Sequence, residues 1–225
     1  MKKTIYVFWT EANELTPRRK NNLQIIKDRC GVELKFLDYN TIRDYELQEH
    51  KFHEAYEYLS ATAKSDYCRS YFMNFYGGAY CDIKRAEWDW NEYFNLLDQT
   101  DYWVLGYRLR AITDLAVSPE DPELTIIQDN WNLLLGAGAM ICKPQTPLTT
   151  YWFELMTSIL DKKINQLRSN PAVHVRDRLN WTGTTSGYPL RWAEIGPETF
   201  MKSCYTYKDK LCHQLPCPNL DEKYR

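Results

Sequence analysis

The sequence predicts an α/β fold on three observations. Residues 5–9 (Ile-Tyr-Val-Phe-Trp) form a wholly apolar, β-favouring run, the composition of a strand buried on both faces. Residues 17–28 read as a helix and 32–37 alternate as a second strand, which makes a strand–helix–strand unit within the first forty residues. A third short strand, 79–83, follows a helical stretch directly through a glycine pair.

Each element has a local cause. Pro17 suits the first turn of a helix, where its missing N–H would have no partner anyway, and Gly31 suits the helix end. Asp38-Tyr39-Asn40 closes the second strand with turn-forming side chains. Helical periodicity predicts helices over 43–59 and 63–76, the latter stopped by Gly77-Gly78. Residues 101–109 and 133–142 read as strands, the second containing Gly136 and Gly138, and Pro147 opens a helix to about residue 160. Beyond Asn170 the chain is rich in turn-forming residues. With no internal repeat and no long linker, a single domain over 1–225 is expected.

Composition excludes several classes. With 225 residues, 44% hydrophobic and 15% aromatic, the chain can fill a large core, so global disorder is ruled out. A formal net charge of −2 argues against a dedicated nucleic-acid binder. No apolar run reaches the roughly 18 residues of a membrane helix, and Met1-Lys2-Lys3 leads straight into a strand, so a cytoplasmic protein is expected. Seven cysteines lie mostly in apolar runs and read as packed thiols. Only Cys204, Cys212, His213 and Cys217 cluster, without the paired spacing of structural zinc.

Chemistry concentrates in Ser65-Asp66-Tyr67-Cys68-Arg69 and Tyr76-Gly77-Gly78-Ala79-Tyr80-Cys81-Asp82-Ile83-Lys84. On a helical wheel Tyr67, Cys68, Tyr71, Phe72 and Phe75 form an apolar stripe, with Asp66 and Arg69 opposite. Taken alone, that pair reads as a solvated ion pair on the back of a core helix. The glycine pair shifts the weighting, because it precedes a strand ending in an acid and a base, and ligands gather outside the carboxyl ends of strands in open α/β sheets. Strand alternation puts Asp82 and Lys84 on one side, placed to grip hydroxyls and a diphosphate.

The order S-D-x-x-R, helix, Y-G-G-x-Y-x-D-x-K resembles the capsular polysaccharide synthesis family, within the sugar transferases carrying a D-x-D motif. That wider group includes yeast-type initiating mannosyltransferases and clostridial toxin glucosyltransferases. The likeness runs from Ile5 to about Phe200, more weakly in the last third, and includes Cys142-Lys143-Pro144 and Trp152. It implies a GT-A-like, nucleotide-binding mixed sheet flanked by helices. It also implies transfer of a sugar from a nucleotide diphosphate donor, UDP-sugar first, to a glycan or lipid-linked glycan hydroxyl. About 1–100 would then be the donor-nucleotide half, and 101–225 the acceptor side with a lid. By the same resemblance Trp9 stacks on the donor base, Asp66 and Arg69 contact the donor sugar, and Asp82 meets the ribose or a metal-bound water. Gly77, Gly78 and Tyr80 complete the donor-binding set, and Asp82, Lys84 and Arg69 the catalytic one.

The chain departs from the pattern at the second acid of D-x-D, which is Lys84. A divalent ion there neutralises the diphosphate and helps it leave, whereas a protonated lysine repels one. Two expectations follow. Lys84 supplies part of the missing charge, aided by Arg69 or another base; or Asp82 still holds Mn²⁺ or Mg²⁺ with another acid or His213.

Other candidates carry less signal. Asn130, Trp131 and Asn132, beside Asp129, have the side chains of an acceptor site or simply of a helix end. Residues 181–197 contain Thr182-Gly183-Thr184-Thr185-Ser186-Gly187, Trp192 and Glu194, the composition of a lid over the diphosphate or of a plain loop. Gly196-Pro197 matches a Gly-Pro near the active site of the wider group. Asp114, Asp129 and Glu194 are candidates for a base if the reaction inverts; His53 and His174 receive no role. No Ser-His-Asp order, P-loop, H-E-x-x-H or G-x-G-x-x-G is present. Two alternatives use the same residues: a nucleotide-sugar or glycan-binding module that has lost turnover, and a nucleotide-sugar hydrolase.

Overall fold

A computed structural model describes residues 1–117, 124–179 and 187–221. Its strands are β1 (Thr4–Trp9), β2 (Glu33–Asp38), β3 (Gly78–Cys81), β4 (Val104–Arg108), β5 (Leu135–Cys142) and β6 (Leu211–Cys212). They form one mixed sheet in the order β2-β1-β3-β5-β4-β6. β1 runs parallel to β2 and β3, β5 runs antiparallel to β3 and β4, and β6 is parallel to β4. The helices are α1 (Pro17–Arg29), α2 (Ala61–Phe75), α3 (Asn91–Asp98), α4 (Thr125–Asp129), α5 (Pro147–Ser169) and α6 (Pro197–Thr206). Sheet order interleaves the two halves of the chain, since β5 pairs directly with β3.

Alternation along the strands builds a core on each face of the sheet. Tyr6 and Phe8 of β1, Tyr80 of β3 and Met140 of β5 pack with Tyr67, Phe72, Trp152 and Phe200 from α2, α5 and α6. Ile5, Val7, Ala79, Cys81 and Ile141 pack on the opposite side with Ile26 of α1 and Phe94 and Leu97 of α3. The wholly apolar run in β1 is thus buried on both faces, as its composition predicts. Cys204 belongs to the first core and Cys212 to the second, so the sheet separates two of the thiols that cluster in sequence.

The helix expected over 43–59 does not form; short 3-10 turns at Ile42–Tyr45 and Glu54–Tyr58 flank an irregular stretch. Side chains satisfy its backbone instead of helical bonds. Tyr71 Oη accepts from the Leu47 N–H and donates to the His50 carbonyl, Tyr67 Oη accepts from the His53 N–H, and Glu46 accepts from the Phe52 N–H. α5 runs nine residues past the expected end at 160, because Leu167 carries its buried stripe through a polar stretch. α3 and α6 are additional to the sequence reading. No helix among the described residues is long and apolar enough to cross a membrane.

Candidate active site

β1, β2 and β3 end at the same edge of the sheet, and a cavity of about 330 Å³ opens there. It is lined by Trp9 and Thr10 from the end of β1, Arg19 from α1, Asp66 and Arg69 from α2, Tyr80 and Asp82 from β3 and the residue after it, and Arg176, Arg178 and Trp192 from the chain beyond α5. Asp66, Arg69, Tyr80, Asp82 and Trp9, all singled out from the sequence, therefore converge on one cavity.

Local structure explains the convergence. Ser60 caps α2 by accepting from the Ala63 N–H, and the helix is buried from Tyr67 to Asn74 with Asp66 and Arg69 buried too. The solvated-pair reading of Asp66 and Arg69 is thereby overturned: with sheet on one side and α5 on another, this helix has little free surface to offer them. β3 stops at Cys81, and the Asp82 N–H pairs with the Gly138 carbonyl at 2.8 Å before the chain bends. That bend, not strand alternation, brings Lys84 beside Asp82. Gly138 leaves room for it, since a Cβ there would lie 3.2 Å from Asp82 Oδ2.

Arg69 is the hub. Its Nη2 lies 3.2 Å from Asp66 Oδ1 and 3.8 Å from Asp82 Oδ1, donates to Tyr80 Oη at 3.1 Å, and its guanidinium rests 4.3 Å above the Tyr80 ring. Tyr80 Oη donates to Asp82 Oδ1 at 2.5 Å and Lys84 Nζ lies 3.0 Å from Asp82 Oδ2. The two acids accordingly ionise differently. Burial pushes Asp66 up to about 6, with Arg69 opposing and Asp82 adding to the rise. Burial also disfavours ionised Asp82, but Lys84, Arg69 and the Tyr80 hydroxyl outweigh it and hold the carboxyl down at about 2.

Trp9 is 8% exposed, its Nε1 donates to the Asn13 carbonyl, and Arg19 covers its ring at 4.5 Å. A base stacking on that face has to displace or sandwich with Arg19. Trp192, 56% exposed, presents a more open indole at the mouth. Gly196 sits against Asp66, where a Cβ would fall 2.3 Å from the Cγ, so Gly196-Pro197 does lie at this site.

Several other expected site residues stand elsewhere. Gly77 and Gly78 have φ of +63° and +88° and open β3 at the end opposite Asp82, against Pro144 and the Thr4 carbonyl. Their glycine requirement is a turn and a close strand approach, not ligand contact. Lys84 does not line the cavity. Asn130, Trp131 and Asn132 form a turn before β5, on the same edge of the sheet as Asp82 but outside the cavity, with Trp131 packed on the core. Asp114 is paired with Arg110, and Glu194 is buried against Lys163 at 2.7 Å, so neither faces an acceptor there; Asp129 is exposed and also outside. His213 pairs with the Leu133 carbonyl at 3.1 Å, and burial pushes its pKa down. The lid residues Thr182 to Ser186 lie outside the described residues.

A divalent ion fits this arrangement poorly. Both oxygens of Asp82 are engaged by a hydroxyl and an ammonium, Arg69 lies alongside, and no group of three His, Cys, Asp or Glu able to hold a metal occurs among the described residues.

Arg176 and Arg178 escaped the sequence reading, because their R-D-R cluster resembles a solvated turn and stands about a hundred residues from the motif. The turn is in fact pinned to α2. The Val175 carbonyl accepts from the Thr62 N–H and Oγ1, and the Ala172 N–H donates to the Tyr58 carbonyl. Inside it, buried Asp177 accepts from the Val173 and His174 N–H groups, and His174 Nδ1 accepts from the Arg176 N–H.

No family model matches the chain, and no curated protein sequence matches it. Among solved structures it is similar to one described as PaToxG glycosyltransferase, at 11% identity and a TM-score of 0.50, over 91% of this chain and 69% of that one. At that identity the likeness speaks for the fold. Together with the six-stranded mixed sheet between helical layers, it gives the chain a GT-A-like glycosyltransferase fold.

Proposed function

We propose that the chain is a glycosyltransferase that moves a sugar from a nucleotide diphosphate donor, UDP-sugar first, to a glycan hydroxyl. The observation that carries this reading is the convergence of Asp66, Arg69 and Asp82 on one cavity outside the carboxyl ends of parallel strands, in a fold shared with a glycosyltransferase. Asp66 and the Arg69 guanidinium offer an acceptor and a donor set matched to sugar hydroxyls, and Trp9 and Trp192 offer indoles to the base or a sugar ring. In transfer, the acceptor oxygen bonds to the anomeric carbon as the bond to the diphosphate oxygen breaks. The electron pair leaves on the diphosphate, and the proton of the acceptor hydroxyl is released to solvent water. Asp82 contributes by fixing Lys84, Tyr80 and Arg69 in one network, so that the donor meets a preorganised wall. Membership of the capsular polysaccharide synthesis family, a lipid-linked acceptor and a cytoplasmic or membrane-peripheral location extend this reading and rest on the motif resemblance.

The test is release of nucleoside diphosphate from a panel of UDP- and GDP-sugars, with and without glycan acceptors. Acceptor-dependent release abolished by Asp82→Asn supports transfer. Binding without release in any combination favours a binding module, release indifferent to acceptor favours hydrolysis, and unchanged activity in Asp82→Asn removes that residue from the site.

A further inference from the structure

We infer that the donor diphosphate is held by Arg176 and Arg178, so that this chain engages a nucleoside diphosphate in the absence of any divalent cation. The inference rests on the donor-site reading above and specifies how that site manages charge.

A donor diphosphate brings a negative charge on each phosphate to a cavity already floored by Asp66 and Asp82. Something positive must lie between them and the ligand. Lys84, the sequence candidate, has its ammonium on Asp82 Oδ2 and does not line the cavity, so it neutralises the protein's own acid. The α2 N-terminus adds little, because the Thr62 and Ala63 N–H groups already donate to Val175 and Ser60. The cavity is lined by four arginines, Arg19, Arg69, Arg176 and Arg178, against the three carboxylates of Glu11, Asp66 and Asp82, and two of the four, Arg176 and Arg178, come from one turn.

The turn that carries Arg176 and Arg178 is fixed by hydrogen bonds. The Thr62–Val175 bonds fix their turn to the helix that carries Asp66 and Arg69, the Tyr58–Ala172 bond fixes it to the 3-10 turn before that helix, and the Asp177 and His174 bonds fix its shape. Alternate residues of one short segment thus bring two arginines to the lining of the cavity. Planar forks match pairs of phosphate oxygens, and their charge grows in value as negative charge collects on the departing diphosphate. Asp82, engaged at both oxygens by Lys84 and Tyr80, leaves no equivalent role for a metal.

The experiment is calorimetric titration of the full chain with UDP, GDP and inorganic pyrophosphate in excess EDTA, repeated with Mn²⁺. The expected result is binding of a nucleoside diphosphate in EDTA, little changed by Mn²⁺ and weakened about tenfold or more by Arg176→Ala/Arg178→Ala. Arg176→Lys/Arg178→Lys should keep part of the affinity, and the double alanine variant should show a flatter salt dependence. Wild-type binding only after Mn²⁺ addition overturns the inference and leaves the donor reading standing. No nucleoside diphosphate binding in either condition overturns both. Full diphosphate affinity in the alanine variant, or in the lysine variant if the alanine one does not fold, also overturns it. Weakened binding of free glucuronate with diphosphate affinity intact would reassign the arginines to an acidic acceptor.

Discussion

Breaking the Asp82–Lys84 pair tests the electrostatic design of the site independently of any ligand. The carboxyl falls from an ordinary 3.8 to about 2, worth about 2 kcal/mol of net preference for the ionised form. At 3.0 Å and an effective dielectric of about 20, the pair's gross attraction is about 5 kcal/mol; with Arg69 and the Tyr80 hydroxyl also favouring the carboxylate, burial cancels more than half of the total. Because the folded pKa lies below the unfolded one, this stabilisation is present above about pH 4 and is lost as pH falls through about 2. Asp82→Asn and Lys84→Met should each destabilise by about 2–3 kcal/mol, since each strands a mostly buried partner. The double variant should recover about 2 kcal/mol of the summed loss. Urea denaturation of the four proteins measures this coupling, and it should be equal at about pH 5 and pH 8, where Asp82 is ionised throughout. A coupling below about 0.5 kcal/mol would refute the argument that Lys84 serves chiefly to neutralise Asp82.

Three further outcomes are expected. Asp66 has a folded pKa raised to about 6, so the native state takes up its proton first and stability rises as pH falls; relative to Asp66→Asn, wild type should gain about 1.4 kcal/mol between about pH 7.5 and pH 5, and a flat difference in urea denaturation would reject the shift. Gly196→Ala places a methyl 2.3 Å from Asp66 Cγ, and should cost about 1–3 kcal/mol in thermal unfolding and weaken donor-sugar binding more than nucleoside diphosphate binding. Gly78→Ala combines φ +88° with a 2.7 Å approach to the Thr4 carbonyl, so it should lower the melting temperature by a comparable amount while leaving nucleoside diphosphate affinity intact. Lost affinity in a folded Gly78→Ala protein would return the glycine pair to the donor site.

Local sequence was sufficient wherever one short segment decides the outcome. The apolar run of β1, Pro17 at the head of α1 and the glycine turn before β3 each express a preference of a few neighbouring residues, and the structure keeps all of them. The convergence of Asp66, Arg69 and Asp82 was legible as well, because helix, turn and strand are consecutive and leave few ways to fold back. Tertiary structure decided the rest. Residues 43–59 have helical periodicity, but Tyr67 and Tyr71 reach across from α2 and take over the backbone bonds a helix would have made. The acid–base pair of α2 reads as solvent-facing until α5 and the sheet enclose it. Arg176 and Arg178 look like a surface turn until Thr62 ties that turn to α2 and Tyr58 ties it to the 3-10 turn before α2, since no spacing rule reports a contact across a hundred residues of chain. Sequence thus determined which chemistry is available along each element, whereas burial and long-range pairing, which depend on what packs opposite, determined which charges face the cavity and which neutralise one another.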